Sequence, residues 1–135
     1  MTAVFVDSNV LLDVIAGDAV WREWSGAALA RIARRHRMVI NPIVYAEVSV
    51  RFRNIEDVDL TLPKKMFDHE AIPFEAAFLA GKVHAAYRAR GGSRHATLPD
   101  FFIGAHATVA GYDLLTRDVA RYRGYFPRLH LIAPE

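Results

Sequence analysis

Hydrophobic positions along this chain fall into short continuous runs separated by longer stretches with helical spacing. Residues 3–6, Ala-Val-Phe-Val, form the first such run and predict a short buried strand ending at Asp7. Residues 8–16 predict a helix, with Gly17 as its stop. A longer helix is expected over 19–36. There Trp21, Trp24, Ala28, Leu29 and Ile32 repeat at helical spacing and would face the core, with Arg31, Arg34 and Arg35 mostly on the other side. Residues 38–40 are a second strand-like run. Asn41-Pro42 then opens a helix, Asn as cap and Pro at the first helical position, that should run to about Arg53. Residues 55–67 read as helical but bent near Pro63, and 69–73 as a short third strand.

The same alternation continues. Residues 75–90 are amphipathic, with Leu79, Val83, Ala86 and Tyr87 on the apolar face, and Gly91-Gly92-Ser93 ends them in a loop. Thr97-Leu98-Pro99-Asp100 opens a helix reaching Ala110, with Gly111 as its stop. Residues 113–115 predict a strand, 118–123 a short helical turn, and 129–132 a last strand. Strands alternating with helices predict an α/β sandwich around a mostly parallel sheet. In such sheets, sites form outside the carboxyl ends of the strands. No repeat, low-complexity tract or linker interrupts the pattern, so residues 1–135 read as one domain.

Composition narrows the classes. At 53% hydrophobic and 24% charged residues the chain is globular rather than disordered. No apolar run approaches the roughly 20 residues of a membrane helix. The N-terminal stretch lacks a basic lead and carries Asp7 and Asp13, which argues against a signal peptide and makes the cytoplasm the expected location. There is no cysteine, which excludes disulfides, thiolate metal sites and cysteine nucleophiles. The net charge of +2 says little about partners, but 14 arginines stand against 3 lysines. Arginine grips phosphate through a planar fork; GC-rich coding produces the same bias.

Four acids stand out by position. Asp7 follows the first strand, Glu47 lies inside the Asn41-Pro42 helix, Asp100 is in the first turn of the Thr97 helix, and Asp118 lies just beyond the strand at 113–115. Each has a local explanation. Asp7 and Asp118 suit helix caps, Asp100 a capping box with Thr97, and Glu47 a pair with Arg51 one turn on. Together they say more. A parallel sheet brings Asp7 and Asp118 to one edge, and four carboxylates in one cleft repel unless cations neutralise them. An all-oxygen set of this kind suits Mg²⁺ or Mn²⁺.

These residues lie in segments that resemble the motifs of PIN domains. DSNVLLD at 7–13, NPIVYAEV at 41–48, LPDFFIGAHA at 98–107 and LLTRD at 114–118 are similar to the four motifs of that family, in its order and over almost the whole chain. The short length resembles the VapC toxins of VapBC toxin–antitoxin pairs. The resemblance implies a PIN-like three-layer sandwich and a metal-dependent ribonuclease. Asp7, Glu47, Asp100 and Asp118 would form its catalytic metal cluster, with Asp7 and Asp100 the direct ligands. Glu47 and Asp118 would act through water or a second ion. Asn9 and Thr116 match supporting positions, though each also suits a helix start or turn. Arg94, His95 and Arg117 flank the motifs and could hold RNA phosphates, though loop arginines also stand solvated; a general-acid role is a further alternative for His95. Asp13 is expected outside the site. The resemblance also implies a VapB-like antitoxin partner and a homodimer, for which Trp21 and Trp24 are candidates if they are not core. No protein nucleophile is needed, since the metal activates water.

Two other readings are open. Phosphotransfer through an aspartate also places Asp after the first strand. The phosphatase form, however, wants a second Asp where Asn9 stands, and none of Lys64, Lys65 and Lys82 suits a receiver domain. A non-catalytic PIN scaffold would bind RNA or protein, but such scaffolds normally lose cluster acids, and all four are present.

Overall fold

The run at Ala3–Val6 is buried at every position, as a strand covered on both faces must be. In the computed structural model, which describes residues 2–91 and 97–135, it is the central strand, β1. Four more follow among the described residues: β2 (Arg37–Ile40), β3 (Phe67–His69), β4 (Asp113–Leu115) and β5 (Leu131–Ile132). Their order is β3-β2-β1-β4-β5, and every pairing is parallel. Among the described residues six helices connect them: α1 (Ser8–Ile15), α2 (Arg22–Ala33), α3 (Pro42–Ser49), α4 (Ile55–Thr61), α5 (Phe74–Ala89) and α6 (Leu98–Ala110). A 3-10 turn at Val119–Arg121 follows β4.

The chain steps outward from β1 to β2 and β3, then returns past β1 to β4. The crossovers to β2 and β3 run one way along the sheet and the crossover to β4 runs back the other way; α1 packs on α2 and α3, and α5 packs on α6. The direction reverses between β1 and β4. That switch point opens a crevice at the carboxyl ends of both strands. Val6 pairs with Leu115, so Asp7 and Thr116 leave the sheet side by side.

Several boundaries differ from the sequence expectation. α2 begins at Arg22 rather than residue 19, because the Asp18 side chain accepts from the Val20 and Trp21 N–H groups and holds that segment in a turn. α3 stops at Ser49 rather than near residue 53. α4 ends before Pro63, whose carbonyl accepts from Met66 and Phe67. β3 therefore starts at Phe67, where it pairs with Met38, and not at residue 69. Gly111 ends α6 at φ +75°, a left-handed cap that glycine adopts without strain. Trp21 and Trp24 are only partly buried, edge-to-face at 6.3 Å, while Ala28 and Ile32 enter the core.

Between α5, α6 and the 3-10 turn lies an aromatic cluster of Tyr87, Phe101, Tyr125 and Phe126. Gly104 lets Phe126 lie against α6: a Cβ there would fall 2.4 Å from the ring. Among the described residues no helix is long and apolar enough to cross a membrane.

Candidate metal centre

Asp7 occupies the position before α1 with extended backbone, yet its side chain makes no capping bond. Its carboxylate turns to the switch point, where Oδ2 accepts from the Tyr122 hydroxyl at 2.7 Å, Thr116 Oγ1 at 2.9 Å and Asn9 Nδ2 at 3.3 Å. Three donors on one oxygen lock the group in place. The other oxygen, Oδ1, has only the Ser8 hydroxyl, at 3.5 Å. Asp7 is 1% exposed, and burial raises its pKa despite the bonds from Tyr122 and Thr116; the charge of Asp100 pushes it the same way.

Asp100 repeats this division of labour. Its Oδ2 accepts from the Thr97 N–H at 2.8 Å, closing the capping box of α6, and its Oδ1 faces Arg121 Nη1 at 3.4 Å. The capping explanation for Asp100 thus holds through Oδ2, and it leaves Oδ1 to face Arg121. Glu47 does not pair with Arg51. It reaches across to α1, where Ser8 Oγ donates to it at 2.8 Å. Burial raises its pKa, Ser8 counters this, and the charges of Asp7 and Asp100 raise it further. Asp118 makes no capping bond; its Oδ2 lies 2.8 Å from Arg121 Nε, close enough for an ion pair though off the line of a hydrogen bond.

The supporting pair forms a lattice between β1 and β4. Asn9 Nδ2 donates to Thr116 Oγ1 at 3.2 Å, and the Asp118 N–H donates to the same oxygen at 3.1 Å. A second network holds α3 and α6 in register. Asn41 Oδ1 caps α3 by accepting from the Ile43 and Val44 N–H groups. Its amide therefore donates to Nδ1 of buried His106, whose Nε2–H meets Glu70 at 3.2 Å. Burial lowers the His106 pKa and keeps it neutral, although Glu70 pulls the other way.

Of the four acids predicted from sequence, Asp7, Glu47 and Asp100 feel one another's charge, and Asp118 joins them through Arg121, which it shares with Asp100. Arg117 does not turn to them: its Nε is held by buried Asp13 at 2.8 Å, and its guanidinium lies 5.5 Å from the Trp21 ring. Asp13, expected outside the cluster, is paired there and also accepts from Ser25. Arg94 and His95 lie outside the described residues. Sequence reasoning missed Ser8, Tyr122 and Arg121. Ser8 is adjacent to Asp7 and within reach of inference; the other two belong to a turn whose fold-back leaves no periodic signal.

The sequence matches the PIN domain over residues 4–125. The chain belongs to the PIN domain family. The same fold occurs in VapBC2 from Rickettsia felis, in a structure bound to a DNA fragment from its promoter (TM-score 0.73, 17% identity, 98% of both chains covered). It occurs too in a toxin–antitoxin complex from Klebsiella pneumoniae (TM-score 0.72, 23% identity, 99% of this chain and 98% of that one). VapBC-1 from nontypeable Haemophilus influenzae is similar to the same degree (TM-score 0.73, 16% identity, 98% of both). No curated protein sequence matches this PIN domain.

Among the described residues no three His, Asp or Glu side chains close into a ready-made ion cage. The donor set nonetheless fits a hard divalent cation. Asp7 and Asp100 each have one oxygen anchored by the protein and one turned to the cluster, which gives the all-oxygen, anionic donors that such an ion takes.

Proposed function

We propose that this chain is a Mg²⁺- or Mn²⁺-dependent endoribonuclease that hydrolyses RNA phosphodiester bonds as the toxin of a toxin–antitoxin pair. The observation that carries the reading is the pair Asp7 and Asp100 at the switch point of a PIN sheet, each pinned by the fold through Oδ2, with Asp7 Oδ1 held only by Ser8 at 3.5 Å and Asp100 Oδ1 facing Arg121 at 3.4 Å. Asp7 and Asp100 would hold the ion directly, and Glu47 and Asp118 through water or a second ion. The chemistry that a divalent ion held by these acids would supply is Lewis-acid activation of water and stabilisation of the departing oxygen. Tyr122, Thr116 and Asn9 keep the Asp7 carboxylate fixed, and Ser8 keeps Glu47 beside it. Residues 1–135 would act as one domain in the cytoplasm. The fold shared with VapBC proteins and a toxin–antitoxin complex, over nearly the whole chain, supports a VapB-like antitoxin as partner; a homodimer of this chain is part of the same reading.

The test is cleavage of a mixed RNA pool by purified protein with Mg²⁺ or Mn²⁺, and with chelator. Metal-dependent cuts are expected, reduced at least about 100-fold in Asp7→Ala and Asp100→Ala, because both remove a direct ligand. A folded protein that neither binds Mn²⁺ nor cuts RNA would leave the non-catalytic scaffold in place of the nuclease.

A further inference from the structure

The cluster is not without a cation of its own. Arg121, the last residue of the 3-10 turn at Val119–Arg121, places Nη1 3.4 Å from Asp100 Oδ1 and Nε 2.8 Å from Asp118 Oδ2. Among the described residues these are the only ion pairs that reach the four acids. The guanidinium takes the Asp100 oxygen that the capping box leaves open, the one a metal would use. Its charge also reaches Asp7 and Glu47, where it opposes the effect of burial. Because its side chain is 36% exposed, it has a way out to solvent.

We propose that Arg121 is a built-in counter-cation that competes with the divalent ion for Asp100 and Asp118. It holds the acids together in the metal-free protein and must withdraw when metal enters. A single positive charge is compatible with the two carboxylates on the rim of the site and leaves Asp7 and Glu47 undercompensated. A divalent ion neutralises more of the cluster and so wins the exchange. The guanidinium and the ion cannot share the same Asp100 oxygen at close range, because like charges in a partly buried site repel strongly. Metal loading is therefore an exchange of cations rather than the filling of an unneutralised cleft. Arg121 acts as a positioning residue through the acids.

This inference rests on the cluster being a metal site, and the experiment separates the two. Mn²⁺ dissociation constants are measured by calorimetry for wild type, Arg121→Ala, Arg121→Gln and Arg121→Lys, beside melting curves with and without Mn²⁺. Removing the competitor should tighten Mn²⁺ binding about tenfold in the Ala and Gln variants, with Lys near wild type. The same two variants should melt lower than wild type without metal, and with wild type when loaded. A merely structural ion pair predicts the reverse, since losing it would loosen Asp118 and weaken Mn²⁺ binding. The Gln variant keeps a polar group of similar reach and guards against a failure of the Ala variant to fold. Unchanged or weaker Mn²⁺ binding in folded Arg121→Gln, with wild type binding normally, overturns the role of Arg121 alone. Failure of wild type and all variants to bind Mn²⁺ overturns the metal site, and the exchange with it.

Discussion

At the scale of single residues, Asp7 shows how a site is built at the expense of stability. It is a buried carboxylate whose charge the fold accommodates with three donors on one oxygen and burial everywhere else. An amide of the same shape would keep an acceptor for Tyr122 and Thr116 and shed the desolvated charge. Asp7→Asn should therefore raise the stability of the metal-free protein by about 1 kcal/mol, or roughly 3–5 °C in Tm, while abolishing Mn²⁺ binding. Differential scanning calorimetry checks the first, and a variant that melts below wild type would show that Asp7 contributes to the fold as an ion. Asp7, Asp100 and Asp118 stood out in the sequence because each follows a strand or opens a helix, and Glu47 because it sits on a largely apolar helix face; Asn9 and Thr116 were assigned through the resemblance to the PIN motifs. Tyr122 was not. Its hydroxyl reaches Asp7 only because the chain after β4 folds back across the switch point, and no local spacing encodes that return.

At the scale of elements, α3 and α6 each carry a cluster acid, and their mutual register is set by a polar contact inside the core. Asn41 caps α3 and binds His106 of α6 with the same side chain. Replacing Asn41 by Ala would lose the cap and leave the His106 nitrogen unpaired, so Asn41→Ala should cost about 2–4 kcal/mol in urea unfolding. A cost below about 1 kcal/mol would show that α3 and α6 are held by apolar packing alone. The cap role of Asn41 was readable in the dipeptide Asn41-Pro42; its bond to a residue 65 positions away was not. α6 also depends on close approach. Gly104→Ala would drive a methyl into Phe126 and should destabilise by about 1–3 kcal/mol, with the near-ultraviolet circular dichroism of the aromatic cluster reporting the displacement.

At the scale of the whole molecule, the cluster ties stability to pH and metal. Burial raises the pKa of Asp7 and Glu47, so the folded chain takes up their protons more readily than the unfolded one. Their contribution is present at acid pH and lost as pH rises through the raised values. His106 runs the other way: burial lowers its pKa, so its contribution is present above the ordinary histidine value and lost as pH falls through the lowered one. On mild acidification the two trends oppose each other: the acids add stability as they take up protons, and His106 subtracts it as pH falls below the ordinary histidine value. Mn²⁺ should raise Tm most at neutral pH and progressively less as pH falls, because metal and proton compete for the same carboxylates. Melting curves across pH with and without Mn²⁺ test this, and a metal shift independent of pH would count against the acids as ligands.

The alternation of apolar runs and helical stripes determined the α/β class, the positions of most elements and where along them Asp7, Glu47, Asp100 and Asp118 stand. Those are properties of local spacing, and local spacing is written in the chain. Tertiary structure alone decided that Arg117 is held by Asp13 while Arg121 enters the cluster, and that Tyr122 and Ser8 complete it. These choices depend on strand order and on the path of one short turn. Both are set by the free energy of packing the whole sheet, a sum over contacts between residues far apart in sequence.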